Sequence, residues 1–191
     1  QRVLQRSMIL LLLGLALVAA GCDDEFGPQV WVDLPDTVTI YSLARPELLG
    51  LPGAYDIVNR GAVRIEQPGM SVSWDLALSE EGGQFVLLPS GVLPDNPSPA
   101  ALAHMPGADF KTLDAAPKRE DSRWVDSLAV PLTVGEVYVV RSRPVSCIYV
   151  TGSYFAKMRA VSVDPVVGSV TLELITNPYC NDRALVPPDE D

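Results

Sequence analysis

Residues 70–78 read Met-Ser-Val-Ser-Trp-Asp-Leu-Ala-Leu, and their alternation indicates the fold class. Every second residue is large and apolar, while those between are small or polar, a period typical of a half-buried β-strand. Residues 79–83, Ser-Glu-Glu-Gly-Gly, follow as a hairpin loop, and residues 84–88 return as a second strand. The stretch therefore predicts an antiparallel hairpin with one buried face.

Further strand patterns lie on both sides of this hairpin. Short runs of alternating or continuous apolar residues, separated by Gly and Pro, predict strands at 30–33, 36–43, 55–58, 62–66, 128–134, 137–140, 154–163 and 169–176. The last strand should turn Val170, Leu172 and Leu174 inward. We therefore expect an all-β fold, a single antiparallel β-sandwich or partly open barrel, with at most one short helix. The strand order does not follow from the sequence.

Three local features refine this prediction. The apolar parity of residues 154–163 switches at Ala160, which predicts a β-bulge there. Gly135-Glu136 fits a tight hairpin turn between the strands at 128–134 and 137–140. The short helix is expected at residues 100–105, with Ser98 as its N-cap and Pro99 at its first position.

Residues 8–22, MILLLLGLALVAAGC, predict an export signal. Arg2 and Arg6 precede the apolar run, which is shorter than the roughly 20 residues a membrane-spanning helix needs. Small residues then precede Cys22, and the whole resembles the lipobox of bacterial lipoproteins, in which this cysteine carries lipid. An ordinary secretory signal followed by a chance cysteine is the alternative. We expect residues 1–21 to be a signal peptide, 22–29 a lipidated tether, 30–185 the β domain and 186–191 an acidic tail.

The charge restricts the possible partners. The formal net charge is −10, and removal of residues 1–21 takes away two arginines and no acid, leaving 12 − 24 = −12. Such an acidic protein is a poor candidate for binding nucleic acid. Asp23, directly after the lipidated cysteine, resembles an inner-membrane retention signal in some bacteria. Whether the inner or the outer membrane holds the protein is left open.

The cysteines agree with an exported protein. With Cys22 assigned to lipid, Cys147 and Cys180 remain as an even pair, which is usually bridged in an oxidising compartment. The bridge should close the open end of the hairpin formed by the last two strands. Metal binding is the alternative, but two cysteines and the single histidine, His104, make a poor zinc ligand set.

Few residues suggest chemistry, since nucleophile elbow, zincin, phosphate-loop, dinucleotide and calcium-loop motifs are absent from the sequence. His104 is expected to be a surface residue on the short helix, with haem or metal ligation as the alternative. Asp75 could be half of a carboxylate pair, but we expect it to be solvated or bonded to a turn. The three tryptophans could form a sugar-stacking platform, although core packing is the better expectation: Trp31, Trp74 and Trp124.

Two segments are similar to a known family. Trp74-Asp75-Leu76-Ala77-Leu78 resembles a strand of the HmuY-type haem-binding lipoproteins, and residues 137–174, with Phe155-Ala156-Lys157-Met158, resemble the hairpin region that closes that family's β domain. The resemblance covers about a quarter of the chain and implies a lipid-anchored, all-β envelope domain. The family binds haem between two histidines, whereas this chain has only His104, outside both segments, so no site residue is transferred.

Three functions follow, in order of preference. The first is a lipid-anchored envelope lipoprotein that is not an enzyme and whose β domain binds a protein, a glycan or a small ligand. The second is a haem- or metal-capturing lipoprotein with an atypical ligand set, such as His104 with Met105 or a tyrosine. The third is an envelope hydrolase, for which the sequence offers no nucleophile–base pair. No cofactor is expected under the first function, and haem is the cofactor of the second.

Overall fold

The computed structural model describes residues 31, 34–66, 69, 72–92 and 100–188. Two short 3₁₀ turns, Pro46–Leu48 and Ser90–Val92, occur in this part of the chain, which has no α-helix. The strands are β1 (Asp36–Tyr41), β2 (Ala54–Asp56), β3 (Gly61–Val63), β4 (Leu76–Glu81), β5 (Gln84–Pro89), β6 (Ala101–Met105), β7 (Trp124–Val125), β8 (Val130–Pro131), β9 (Val137–Arg141), β10 (Val145–Ser146), β11 (Thr151–Gly152), β12 (Phe155–Asp164) and β13 (Ser169–Thr176).

Two antiparallel sheets form a sandwich-like arrangement, as the sequence predicts, and the described strands close no barrel. The first sheet has the order β1-β13-β12-β9-β6-β7, and the second has the order β3-β2-β4-β5-β8. The strands β10 and β11 form a separate two-stranded hairpin. Strands that are neighbours in sequence lie in different sheets at several points, which explains why periodicity alone does not predict their order.

The core lies between the two sheets because each contributes one apolar face. Leu76, Leu78 and Leu87 project from the second sheet, and Met158 and Leu172 project from the first. All five are fully buried, along with several neighbours in the same cluster.

The hairpin of β12 and β13 agrees closely with the sequence prediction. Its register shifts between Ala160 and Ser162, which confirms the predicted bulge. Val170, Leu172 and Leu174 are buried, as expected. The Asp164 carboxylate accepts hydrogen bonds from the backbone of the connecting loop, so this turn is stabilised by its first residue.

The predicted strand at 70–78 is wrong in its boundaries and in the face of the sheet on which it places the Trp74 side chain. The strand β4 begins at Leu76 and continues through Glu81, so the turn consists of Gly82 and Gly83, both with positive φ. Trp74 packs with Ala54 and Ala77 in a separate cluster instead of sharing the face of Leu76. Met70 and Ser71 lie outside the described residues. The Asp75 carboxylate accepts the backbone N–H groups of Ile57 and Arg143, so this side chain is buried and not on the solvent side that the alternation predicts.

The predicted helix at 100–105 is also wrong. Residues Ala101–Met105 form β6, which pairs with β9 on one side and β7 on the other. Ala101, Leu102 and Ala103 are fully buried, so both faces of this strand are covered by protein. Tertiary burial thus outweighs the helix preference of Ala and Leu. Ser98 and Pro99 lie outside the described residues.

The predicted strand at 128–134 shortens to β8, Val130–Pro131, at the edge of the second sheet. Pro131 has no N–H to donate, which suits an edge position. Since β9 belongs to the first sheet, the predicted hairpin turn at Gly135-Glu136 is wrong, and these residues cross between the sheets. The Gly135 N–H donates to the carbonyl of Ala160 at 2.9 Å. The strand predicted at 30–33 falls outside the described residues except for Trp31, which is in no strand.

Candidate functional site

A cavity of about 220 Å³ lies on the outer face of the first sheet. Lys157 and Arg159 face away from the sandwich core because Ala156 and Met158, which alternate with them, are buried inside it. Part of this outer face is covered by the segment that follows β6, including Phe110. The cavity is lined by Pro35, Phe110, Lys111, Lys157, Arg159, Glu173 and Ile175.

Lys157 is the buried cation of this cavity. Its residue is 1% exposed, although lysine is seldom buried without compensating partners. The ammonium Nζ donates to the carbonyl of Leu113 at 3.1 Å and lies 3.5 Å from the carbonyl of Lys111. It also lies 5.4 Å from the centroid of the Phe110 ring. The segment over the sheet therefore supplies oxygen and aromatic partners for this charge.

Arg159 places a second cation against the same ring. Its guanidinium carbon lies 4.8 Å from the Phe110 centroid, and its Nε donates to Glu173 Oε2 at 2.5 Å. Arg159 and Glu173 are directly opposite each other in the ladder of β12 and β13. The lining thus carries three basic residues and one acidic residue, 3 − 1 = +2, in a chain whose net charge is −10. This combination suits a ligand with an anionic group and an apolar part.

A second charged cluster joins the two sheets. Arg143, which follows β9, inserts its guanidinium between Asp56, the last residue of β2, and Asp75, the residue before β4. Its Nη1 lies 3.0 Å from both Asp56 Oδ1 and Asp75 Oδ2, and its Nη2 donates to Asp56 Oδ2 at 3.1 Å. Asp75 also accepts the backbone N–H groups of Ile57 and Arg143, each at 2.7 Å. Asp75 is thus fixed by contacts from both sheets.

The electrostatics of this cluster are those of a buried ion pair. Burial raises the pKa of the Asp75 carboxyl above its usual value, while the Arg143 charge and the two backbone N–H groups oppose that shift. Burial would lower the pKa of Arg143, but hydrogen bonds and charge attraction from Asp56 and Asp75 raise it overall. Both carboxylates are occupied by donors, so the arrangement supports cross-linking of the sheets and not acid–base chemistry.

The expectation of a solvated Asp75 is therefore wrong, since the residue is fully buried. The expected bond to a turn is found, because the Asp75 carboxylate accepts the N–H of Ile57, the first turn residue after β2. Asp56 is the second carboxylate near Asp75, but Arg143 is bonded to both, so they form an ion-pair cluster and not the acid–base pair considered as the alternative. The sequence analysis missed both partners, because Asp56 is 87 residues and Asp75 68 residues away from Arg143. The available signal was Asp75 itself, the only charged residue in the segment 70–78 and the neighbour of a tryptophan.

His104 lies near the end of β6 and not on a helix. Its ring stacks on Tyr138 with centroids 4.8 Å apart. Its Nε2 lies 3.4 Å from Glu136 Oε2, without the geometry of a hydrogen bond, and is shielded from solvent. Met105, the next residue, packs in the cluster on the opposite face of the sheet. His104 and Met105 therefore do not converge on one ion, and the Tyr138 hydroxyl already bonds to Pro131 and Thr133.

The predicted disulfide is present. Cys147 and Cys180 are bonded, with their Cα atoms 6.4 Å apart. Cys147 lies in the loop between β10 and β11, and Cys180 follows β13. The Asn181 N–H donates to the carbonyl of Ser153 at 2.9 Å. The bridge therefore ties the chain after β13 to the chain before β12, at the open end of that hairpin as expected.

The three tryptophans occupy three different environments. Trp74 is in the cluster with Ala54 and Ala77, and Trp124 is packed against Phe155 with ring centroids 6.3 Å apart. Trp31 contacts Tyr179 edge to face with centroids 6.2 Å apart. Packing thus accounts for each ring, as the sequence analysis expected, and these contacts form no shared sugar-stacking surface.

The remaining predicted site, Cys22, lies outside the described residues, as do residues 1–30 as a whole. Within the described ranges, no helix is long and apolar enough to cross a membrane. The same ranges contain no group of three or more His, Cys, Asp or Glu residues arranged to hold a metal ion.

Comparisons with known proteins find no matching family model, no matching curated protein and no matching solved structure.

Proposed function

We propose that this protein is a lipid-anchored lipoprotein of the bacterial cell envelope whose β domain is a non-enzymatic binding module. The observation that carries the proposal is the run from Arg2 and Arg6 through the apolar stretch to Cys22. Two or three acyl chains on Cys22, at about 0.8 kcal/mol per buried CH₂, would hold the domain at the membrane essentially permanently.

Two features of the domain support the proposal. The Cys147–Cys180 bridge is of the kind that persists in an oxidising compartment. The cavity beside Lys157 and Arg159 offers a small ligand a positively charged, partly apolar site. Among the described residues, His104 has no hydrogen bond to a serine or cysteine, so the third hypothesis, an envelope hydrolase, gains no support from this part of the chain. The second hypothesis, haem or metal capture, gains none from the surroundings of His104.

Labelling with radioactive palmitate tests the anchor. Wild-type protein should incorporate label and remain with membranes, whereas Cys22→Ala should do neither. The matched control is the double variant Cys147→Ala and Cys180→Ala, which removes two cysteines but keeps Cys22 and should be labelled like the wild type. A wild-type protein recovered without label would contradict the proposal.

The fluorescent probe 8-anilinonaphthalene-1-sulfonate tests the cavity, since it combines an anionic sulfonate with aromatic rings. Arg159→Met should weaken its binding because the substitution removes a cation from the lining. Arg123→Met removes an exposed arginine outside the cavity and should leave binding unchanged. Circular dichroism would verify that both variants are folded. Equal binding by all three folded proteins would refute the cavity as the binding site.

A further inference from the structure

The loop between β10 and β11 carries the most exposed run of large apolar residues in the described chain. Ile148, Tyr149 and Val150 are 90%, 95% and 58% exposed. We call these three residues the apolar tip. A rigid base holds them, since Cys147 is bonded to Cys180 and its N–H donates to the carbonyl of Val150 at 2.8 Å. Exposed apolar residues clustered in this way are typical of a contact surface.

The apolar tip lies at the end of the domain where the chain from Cys22 enters it. Asp36, the first residue of β1, is opposite Leu174 near the end of β13. The beginning of β12 lies at the same end, because Ala156 is opposite Thr176. Trp31 contacts Tyr179, the neighbour of Cys180. Chain entry, disulfide and apolar tip therefore share one end of the sandwich.

The short tether restricts which end of the domain can lie against the membrane. Between Cys22 and Trp31 the chain reaches roughly 30 Å at most, at about 3.3–3.6 Å per residue. The loop between β12 and β13 lies at the other end of these strands, a further roughly 30 Å away along ten residues of β12, at about 3.3 Å each. The end with the apolar tip is thus the one that the tether holds nearest to the membrane.

The composition of the tip suits the bilayer interface. Residues 147–152, Cys-Ile-Tyr-Val-Thr-Gly, contain no charged side chain, so insertion desolvates no charge. Tyrosine combines an apolar ring with a hydroxyl and is enriched at membrane–water interfaces. An anionic lipid surface would repel this acidic protein, so the contact must come from apolar insertion and not from charge attraction.

We propose that the apolar tip Ile148–Val150 inserts into the interface of the bilayer that holds the Cys22 lipid, as a second contact that fixes the orientation of the domain. The inference rests on the lipid anchor of the proposed function. The surface that the apolar tip contacts is the lipid bilayer. Contact with a partner protein or with a second copy of the chain is an alternative outcome of the test.

Tryptophan substitution in the lipidated protein tests the insertion. Full-length protein carrying Tyr149→Trp, processed in the cell, would be reconstituted into phosphatidylcholine vesicles with and without brominated acyl chains. The new Trp should emit at a shorter wavelength than a tryptophan exposed to water and lose intensity to bromine placed near the headgroups. Val166→Trp is the matched control, because Val166 is 87% exposed in the loop at the opposite end. Its fluorescence should show neither change, and the wild-type spectrum provides the background of the three native tryptophans.

The mass of the same preparations shows whether Cys22 carries lipid, which separates the two proposals. Lipidated Tyr149→Trp protein without quenching would overturn the insertion while the anchor stands. Equal quenching at Val166→Trp would overturn it too, since the domain would then have no fixed orientation. Concentration-dependent dimers of the unquenched protein would identify a second copy as the occupant. A preparation without lipid on Cys22 would overturn the anchor and, with it, the insertion.

Discussion

Replacing Arg143 with methionine should destabilise the domain strongly. Methionine keeps much of the side-chain volume but removes the three hydrogen bonds from the guanidinium to Asp56 and Asp75. Two carboxylates are then left buried without their cation. Breaking a buried ion pair by removing one partner costs about 3–5 kcal/mol, a large share of a typical stability of about 5–15 kcal/mol. At about 2–4 °C per kcal/mol for a domain of this size, the melting temperature should fall by roughly 6–20 °C.

The loss of stability in Arg143→Met should be larger at neutral pH than at acidic pH. Burial raises the pKa of Asp75, and removal of Arg143 takes away the charge that opposes this shift. An acid whose pKa is raised in the folded state binds its proton more tightly there than in the unfolded chain. Its contribution to stability is therefore present below the unfolded pKa and is lost as the pH rises through the folded pKa. The difference between wild type and Arg143→Met should be largest at neutral pH and smaller near pH ~4, where the unfolded carboxyl begins to take up its proton.

Urea unfolding of both proteins across this pH range is the measurement. Arg123→Met is the matched control, because Arg123 pairs with Asp121 at the surface and exposed pairs contribute little to stability. It should unfold close to the wild type at every pH. An Arg143→Met protein as stable as the control, or one whose deficit grew as the pH fell, would refute the account of the cluster.

Two other substitutions have definite expected results. Replacing Cys147 and Cys180 together with serine reopens a loop with a sequence separation of 33 residues. The free energy of unfolding should fall by about 3.7 kcal/mol in the chain-entropy model. Urea unfolding at an unchanged far-ultraviolet circular dichroism spectrum measures this loss, and an unchanged unfolding midpoint would contradict it. His104→Ala removes the ring stacked on Tyr138 and should cost about 0.5–1.5 kcal/mol, the value of an aromatic pair. Loss of a bound chromophore or metal from that variant would instead favour the capture hypothesis.

The sequence predicted the fold class and the final hairpin because their signals are local. Residues 169–174 alternate without interruption, and their partner strand changes parity at Ala160, where the bulge is found. The disulfide was also predictable, since Cys147 and Cys180 are the two cysteines left after Cys22 is assigned. These inferences use only neighbouring residues or a count, so no knowledge of the strand order was needed.

The errors occur where distant contacts outweigh local preference. Residues 101–105 contain alanine and leucine, which favour a helix in isolation, but they fill a place between β9 and β7 that only a strand can occupy. Val130 to Val134 alternate like a strand, yet the chain leaves the sheet after Pro131 to reach the other layer. Strand order decides both cases, and local periodicity carries no information about it.

The candidate site could not be predicted from the sequence either, because it also depends on contacts between distant segments. Alternation places Lys157 and Arg159 away from the sandwich core, where charged residues usually meet solvent. The segment containing Phe110 and Leu113 covers this face and converts it into a cavity. No local pattern within that segment indicates where it packs. The cluster around Arg143 likewise depends on residues that meet only after both sheets have formed.

The central claim is that lipid on Cys22 holds this domain at a membrane, and the mass of the mature N-terminal peptide tests it most directly. Protein purified from membranes would be digested, and the peptide that begins at residue 22 would be measured. The account predicts a chain that begins at Cys22 and carries the added mass of a diacylglycerol, with or without a third acyl chain. A mature peptide that begins at another residue, or an unmodified Cys22, would contradict it.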